Sequence, residues 1–110
     1  MANKYINKAF DLSTTDATII YTVPAETVAI VKAVQAYNDT ASAVPVTMSF
    51  TDASASTTYN IGYATSSTVQ QFSLLSDSLL VLEESDILKL TASVGTQVTG
   101  VASILEQDRT

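Results

Sequence analysis

Carboxylates are the side chains of this sequence most able to do acid–base work or hold a cation. Eleven of the 110 residues are acidic, and Glu83, Glu84 and Asp86 stand almost together, with Asp77 nearby. Glycoside hydrolysis needs two carboxyls facing each other across a cleft. Glu83 and Glu84 are adjacent, so on a strand they point to opposite faces, and a chain this small seldom folds into the cleft. Calcium also takes oxygen ligands, but Glu83-Glu84-Ser85-Asp86 does not match the twelve-residue calcium loop. Asp86 reads instead as the residue that closes a tight turn on its own backbone.

Other chemistries lack their groups. There are 29 serines and threonines but no histidine to take a hydroxyl proton and no cysteine to supply a thiolate. No G-x-S-x-G elbow and no Ser-x-x-Lys occurs. The three glycines, Gly62, Gly95 and Gly100, form no phosphate-binding loop. Zinc would find neither thiolate nor imidazole. The expectation is therefore no enzyme, no cofactor and no metal.

Charge narrows the partners. The formal charge is −6, and the five basic residues include only four lysines, Lys4, Lys8, Lys32 and Lys89. Neutralising several phosphates needs a basic patch, so no nucleic-acid partner is expected, nor an anionic membrane. No run approaches the roughly 18 apolar residues of a membrane helix. Met1–Phe10 lacks the apolar centre of a signal peptide. Charged residues are 15% of the chain, below the globular norm of about 25%, which suits sheet faces covered by another molecule. Sugar binding is the competing class. Tyr59 and Tyr63 share strand parity, roughly 13 Å apart, and could stack sugars, although Ile61 between them favours a core or interface face.

The elements that must position these residues read as strands. Thr18–Val23 is β-branched and ends at Pro24. Thr27–Tyr37 follows, then Pro45–Thr51, in which Val46, Met48 and Phe50 share one face. Thr57–Ala64, Val69–Leu75, Leu79–Glu83, Ile87–Val94 and Val98–Leu105 complete a count of about eight short strands separated by polar corners. In Ile87–Val94 the leucines Leu88 and Leu90 point inward with Ala92 and Val94. This pattern predicts an all-β fold, a small antiparallel β-sandwich or jelly-roll-like barrel. Leu74–Lys89 is the best helical window, but the β-branched residues that follow prefer extended backbone.

Two segments break the pattern. In Thr27–Tyr37, Val28, Ile30 and Val34 face one way with Lys32 among them, while Ala29, Val31, Ala33 and Tyr37 face the other. A strand apolar on both sides is either bulged, so that its register switches, or covered on its second face by a neighbouring subunit. Residues 1–16 carry Lys4 and Lys8 with Tyr5, Ile6 and Phe10 in a polar setting. They read as an edge strand or as an extended N-terminal arm whose aromatics anchor a partner. The body is then 17–106, with 107–110 a loose end. Candidate partner-contact residues are Lys4, Tyr5, Ile6, Lys8, Phe10, Val28, Ile30, Lys32 and Val34; Tyr59 and Tyr63 are the sugar-stacking candidates.

Tyr21–Val34 (YTVPAETVAIVKAV) resembles a signature stretch, typically YTVPAGKTAIVKSI, of small structural proteins in tailed-phage virions. Ala43–Phe50 stands where these proteins have AVTVTL. Leu80–Ser93 (LVLEESDILKLTAS) is similar to their LVLEAGDTLKLTAS hairpin, and Gly100–Glu106 to their closing strand. The chain departs from them at two turn glycines, replaced here by Glu26 and Ser85. The resemblance implies a virion protein on the capsid exterior, a decoration (cement) protein that bridges subunits of the major capsid protein and associates with itself as a homotrimer. A tail, collar or fibre-associated protein is the alternative.

Overall fold

A computed structural model describes residues 3–12, 15–39, 43–66, 70–75, 79–93 and 98–108. The chain runs through β1 (Asn3–Leu12), β2 (Thr18–Thr22), β3 (Thr27–Asn38), β4 (Val44–Asp52), β5 (Thr57–Ser66), β6 (Gln70–Leu75), β7 (Leu80–Leu82), β8 (Ile87–Ala92) and β9 (Val98–Asp108), with no helix among the described residues. One sheet has the order β1-β9-β3-β6, with β7 also pairing β3; the other has the order β2-β8-β4-β5. All pairings are antiparallel. β6 and β7 together fill one position beside β3, so nine strands occupy eight places. The chain crosses between the sheets in the order of two Greek keys, which is a jelly-roll sandwich.

Side-chain alternation explains the core. Val44, Val46 and Met48 of β4 and Leu88, Leu90 and Ala92 of β8 line the inner face of the second sheet, with Val46 opposite Ala92 and Met48 opposite Leu90. Ala29, Val31, Val34 and Ala36 of β3, with Val98, Ala102 and Ile104 of β9, line the first. Each large aliphatic side chain fully buried here contributes about 1.5–3 kcal/mol relative to exposure. The described residues of Leu74–Lys89 form no helix: they are the end of β6, β7, the β7–β8 turn and the start of β8, and their leucines serve two sheets in turn. Val69, Asp77 and Val94–Gln97 lie outside the described residues.

Several expectations are resolved here. Asn3–Leu12 is not a free arm. It is edge strand β1, paired to β9 residue by residue from Asn3↔Gln107 to Leu12↔Val98. Phe10 and Leu12 of that strand are buried in the core. The body of the sandwich therefore starts earlier than residue 17. It also ends later than 106, since β9 includes Gln107 and Asp108. β3 is bulged: its register with β9 shifts between Val31 and Ala33. The inner positions are Thr27, Ala29 and Val31 before the bulge, and Val34, Ala36 and Asn38 after it.

The turns at one end carry backbone strain. Glu26, Ser56 and Ser85 have φ of 56°, 52° and 71°, in the left-handed region that favours glycine. In the β7–β8 turn Asp86 N donates to Glu83 O at 3.0 Å, and Ser85 takes the third position, where a type II turn needs positive φ. Ser85→Gly should therefore raise stability by about 0.5–1 kcal/mol, the relief of left-handed strain outweighing glycine's unfolded-state entropy. Calorimetry would register this as a melting point several degrees higher.

Gly100 is a second constrained position. A Cβ there would lie 2.1 Å from Gln35 O and 2.6 Å from Phe10 Cζ. The Phe10 ring covers this glycine across the Phe10↔Gly100 pair, so β1 and β3 approach β9 only because the side chain is missing. Gly100→Ala is expected to cost about 3 kcal/mol by overpacking, measured as a lower urea midpoint with an unchanged slope.

Candidate functional site

Strand register brings distant residues into one row on the outer face of the first sheet. Tyr5 pairs with Leu105, Leu105 with Ile30, and Ile30 with Val81. Paired residues in a sheet share a face, so this apolar row crosses β1, β9, β3 and β7, about 14 Å at the usual strand spacing. Tyr5 is 75% exposed and Val81 59%; Leu105 and Ile30 are half-buried by their neighbours. Leu79, immediately before β7, is also exposed. Val28, two residues before Ile30 and half-buried, extends the patch towards the turns.

Charge frames the row on two sides. Lys32, at the bulge, holds Nζ 5.6 Å from the centroid of the Tyr5 ring, a cation–π contact that leaves the ammonium at the surface. Beyond Val28 lies an open recess of about 310 Å³ lined by Glu26, Thr27, Val28, Glu83 and Glu84. Glu84 Oε2 accepts from Glu26 N at 2.9 Å, which docks the β2–β3 turn against the β7–β8 turn.

The nine contact candidates do not all gather here. Tyr5, Val28, Ile30 and Lys32 do. Phe10 and Val34 are core residues, because the Gly100 gap admits the first and the β3 bulge turns the second inward. Ile6 is packed against the core as well. Lys4 and Lys8 share the inner parity of Ile6 and Phe10 but are exposed, since β1 is the sheet edge. Leu105, Val81 and Leu79 were not singled out from sequence. The clue to Val81 was its place in Leu79–Leu82, a run apolar on both faces, the signature already seen in β3.

The tyrosine strip does not form. The β4–β5 register shifts between Met48 and Ser49, pairing Met48 with Gly62 and Ser49 with Asn60, so Ile61 is the extra residue. Tyr59 consequently sits opposite Phe50, rings stacked at 5.8 Å and 30°. Tyr63 sits opposite Thr47, on the outer face. The two rings point to opposite sides of the sheet.

Asp86 does close its turn, and more. It is buried, with Oδ2 accepting from Glu83 N at 2.9 Å and Oδ1 from Ala53 N in the β4–β5 turn at 3.0 Å. Its backbone oxygen accepts from Val23 N at 3.0 Å. Both carboxylate oxygens are thus engaged in holding turns.

A cross-sheet bond sits beside a second recess, of about 250 Å³, lined by Lys4, Pro24, Glu106 and neighbours. There the Tyr21 hydroxyl of β2 donates to Glu106 Oε2 of β9 at 2.5 Å. Burial, then the hydrogen bond to the carboxylate and its charge, push the Tyr21 phenol well above its ordinary value. The folded state thus holds this proton more tightly than the unfolded chain. The contribution is whole below the unfolded value of about 10 and falls away as pH climbs above it. Tyr21→Phe should cost about 1–2 kcal/mol at neutral pH and flatten the loss of stability above pH ~10, read from urea unfolding at stepped alkaline pH.

No protein-family model matches the chain, and no curated protein sequence does. Among solved structures it is similar to a chain from work on Bacillus endospore appendages, which "form a novel family of disulfide-linked pili". The TM-score is 0.52 at 13% identity, covering 96% of this chain and 84% of that one. At that identity the likeness concerns the fold, a sandwich of two antiparallel sheets.

Proposed function

We propose that this chain is a structural subunit of a multi-copy particle, acting through sheet surfaces rather than through a catalytic or cofactor site. The observation that carries this reading is the apolar row Tyr5–Leu105–Ile30–Val81, laid across four strands on the outer face of one sheet. Exposed apolar surface of this kind, rimmed by charge, marks protein contact. Its most specific form is the virion reading: a capsid decoration protein of a tailed phage, bridging subunits of the major capsid protein. The resemblance of Tyr21–Val34 and Leu80–Ser93 supports it. Glu26 and Ser85 now fit that resemblance, because both positions have the positive φ that the family's glycines would supply.

An extracellular filament is the second reading, favoured by the fold likeness to a pilus chain. This chain has no cysteine, so a disulfide-linked filament is chemically closed to it, and any fibre would depend on non-covalent contacts. Cryo-electron microscopy of the phage particle should show the sandwich at capsomer junctions. Density confined to the tail would move it to the alternative virion role. A particle without it, with fibres formed by the purified chain, would overturn the virion reading.

A further inference from the structure

The apolar row is self-complementary in charge. Lys32 lies two residues beyond Ile30 on one side of the row, and Val28 with the Glu26, Glu83 and Glu84 recess lies two or more residues beyond it on the other. Each displacement is roughly 7 Å along the strand. A two-fold axis lying along the row, between two copies packed face to face, reverses the strand direction of the second copy. It thereby sets the Lys32 backbone of each over Val28 at the lip of the other's acidic recess, which the ammonium reaches by leaving its own Tyr5 ring, with Tyr5, Leu105, Ile30 and Val81 stacked between.

We infer that the outer face of the β1-β9-β3-β7 sheet is a two-fold interface between two copies of this chain, with Lys32 facing the partner's Glu83 side of the recess. This rests on the reading of the chain as an assembly subunit and names one of its partners. The occupant is a second copy because the patch contains both members of its own charge pair, on opposite sides of an apolar centre, as an isologous contact requires. A surface built for a foreign partner has no need to balance itself in this way. The same geometry argues against the threefold association that the virion resemblance implies. A threefold contact is head-to-tail and would need two different patches, whereas this face matches itself.

The test is sedimentation equilibrium on the full chain and four variants. Wild type should be a monomer–dimer equilibrium that weakens with salt. Lys32→Glu, felt twice across the two-fold, should raise the dissociation constant about tenfold, as should Glu83→Lys. The double variant Lys32→Glu/Glu83→Lys should return it to within about threefold of wild type. Val81→Glu places an exposed charge in the row and should leave a folded monomer by circular dichroism. A wild type that stays monomeric at millimolar concentration, a dimer indifferent to all four variants, or a trimer would overturn the inference. If the free chain is monomeric while a particle map seats capsid protein on this face, the two-fold fails and the assembly role stands.

Discussion

One extra residue in β3 governs the layout of the molecule. β3 is the central strand of its sheet, bonded to β9 along its length and to β7 and β6 in turn on the other side. Strict alternation from Thr27 would have carried Gln35 and Tyr37 inward and put Val34 and Ala36 in water. The register shift between Val31 and Ala33 inverts the parity midway. Before it, Ala29 and Val31 fill the core while Val28 and Ile30 stay outside; after it, Val34 and Ala36 fill the core while Gln35 and Tyr37 stay outside. The same shift brings Lys32 out at the join, over the Tyr5 ring. Core and contact face are therefore two products of a single irregularity.

The turn end shows how a chain without disulfides keeps three loops in place. Asp86 lies where the β2–β3, β4–β5 and β7–β8 turns meet, and its two carboxylate oxygens and main chain bond to all three. A buried carboxylate is costly unless its oxygens are satisfied, and here backbone amides satisfy them. That arrangement tolerates left-handed serine and glutamate at the turn tips, since the surrounding bonds over-determine the backbone. It also concentrates acid: Glu26, Asp52, Glu83, Glu84 and Asp108 all belong to strand ends or turns on this side.

What could be read from the sequence follows from how local each cause is. The alternation in Val46-Thr47-Met48 and in Leu88-Lys89-Leu90 is a property of one strand, and both strands pack as it implies. The two-sided β3 is compatible with a bulge or with a subunit-covered face and does not fix where a bulge falls, so simple alternation puts Val34, just past Lys32–Ala33, on the wrong face. Ile61 did the same to the Tyr59–Tyr63 pair, where one unpaired residue separates two side chains of equal parity. β1 stayed ambiguous between arm and strand because Lys4 and Lys8 occupy inner positions at an edge, where water still reaches them. Phe10 belongs to the core through a gap left by Gly100, ninety residues away, and the contact row depends on register among four strands distant in sequence. Long-range pairing of that kind leaves no trace in a single stretch of residues.

The sheet edges bear on how copies can meet. An unpaired edge is a template for another strand, and proteins block it with inward-pointing charge, lysine above all. β1 has that protection in Lys4 and Lys8, so extending the first sheet sideways would crowd ammonium groups against the incoming chain. End-to-end stacking through two turn ends would oppose like carboxylates at a net charge of −6. Those two routes are disfavoured by groups already in place, whereas on the outer face of the first sheet the apolar row meets no like charge when turned upon itself. Of these three routes, face-to-face contact through the first sheet is the one that the charges of this chain oppose least.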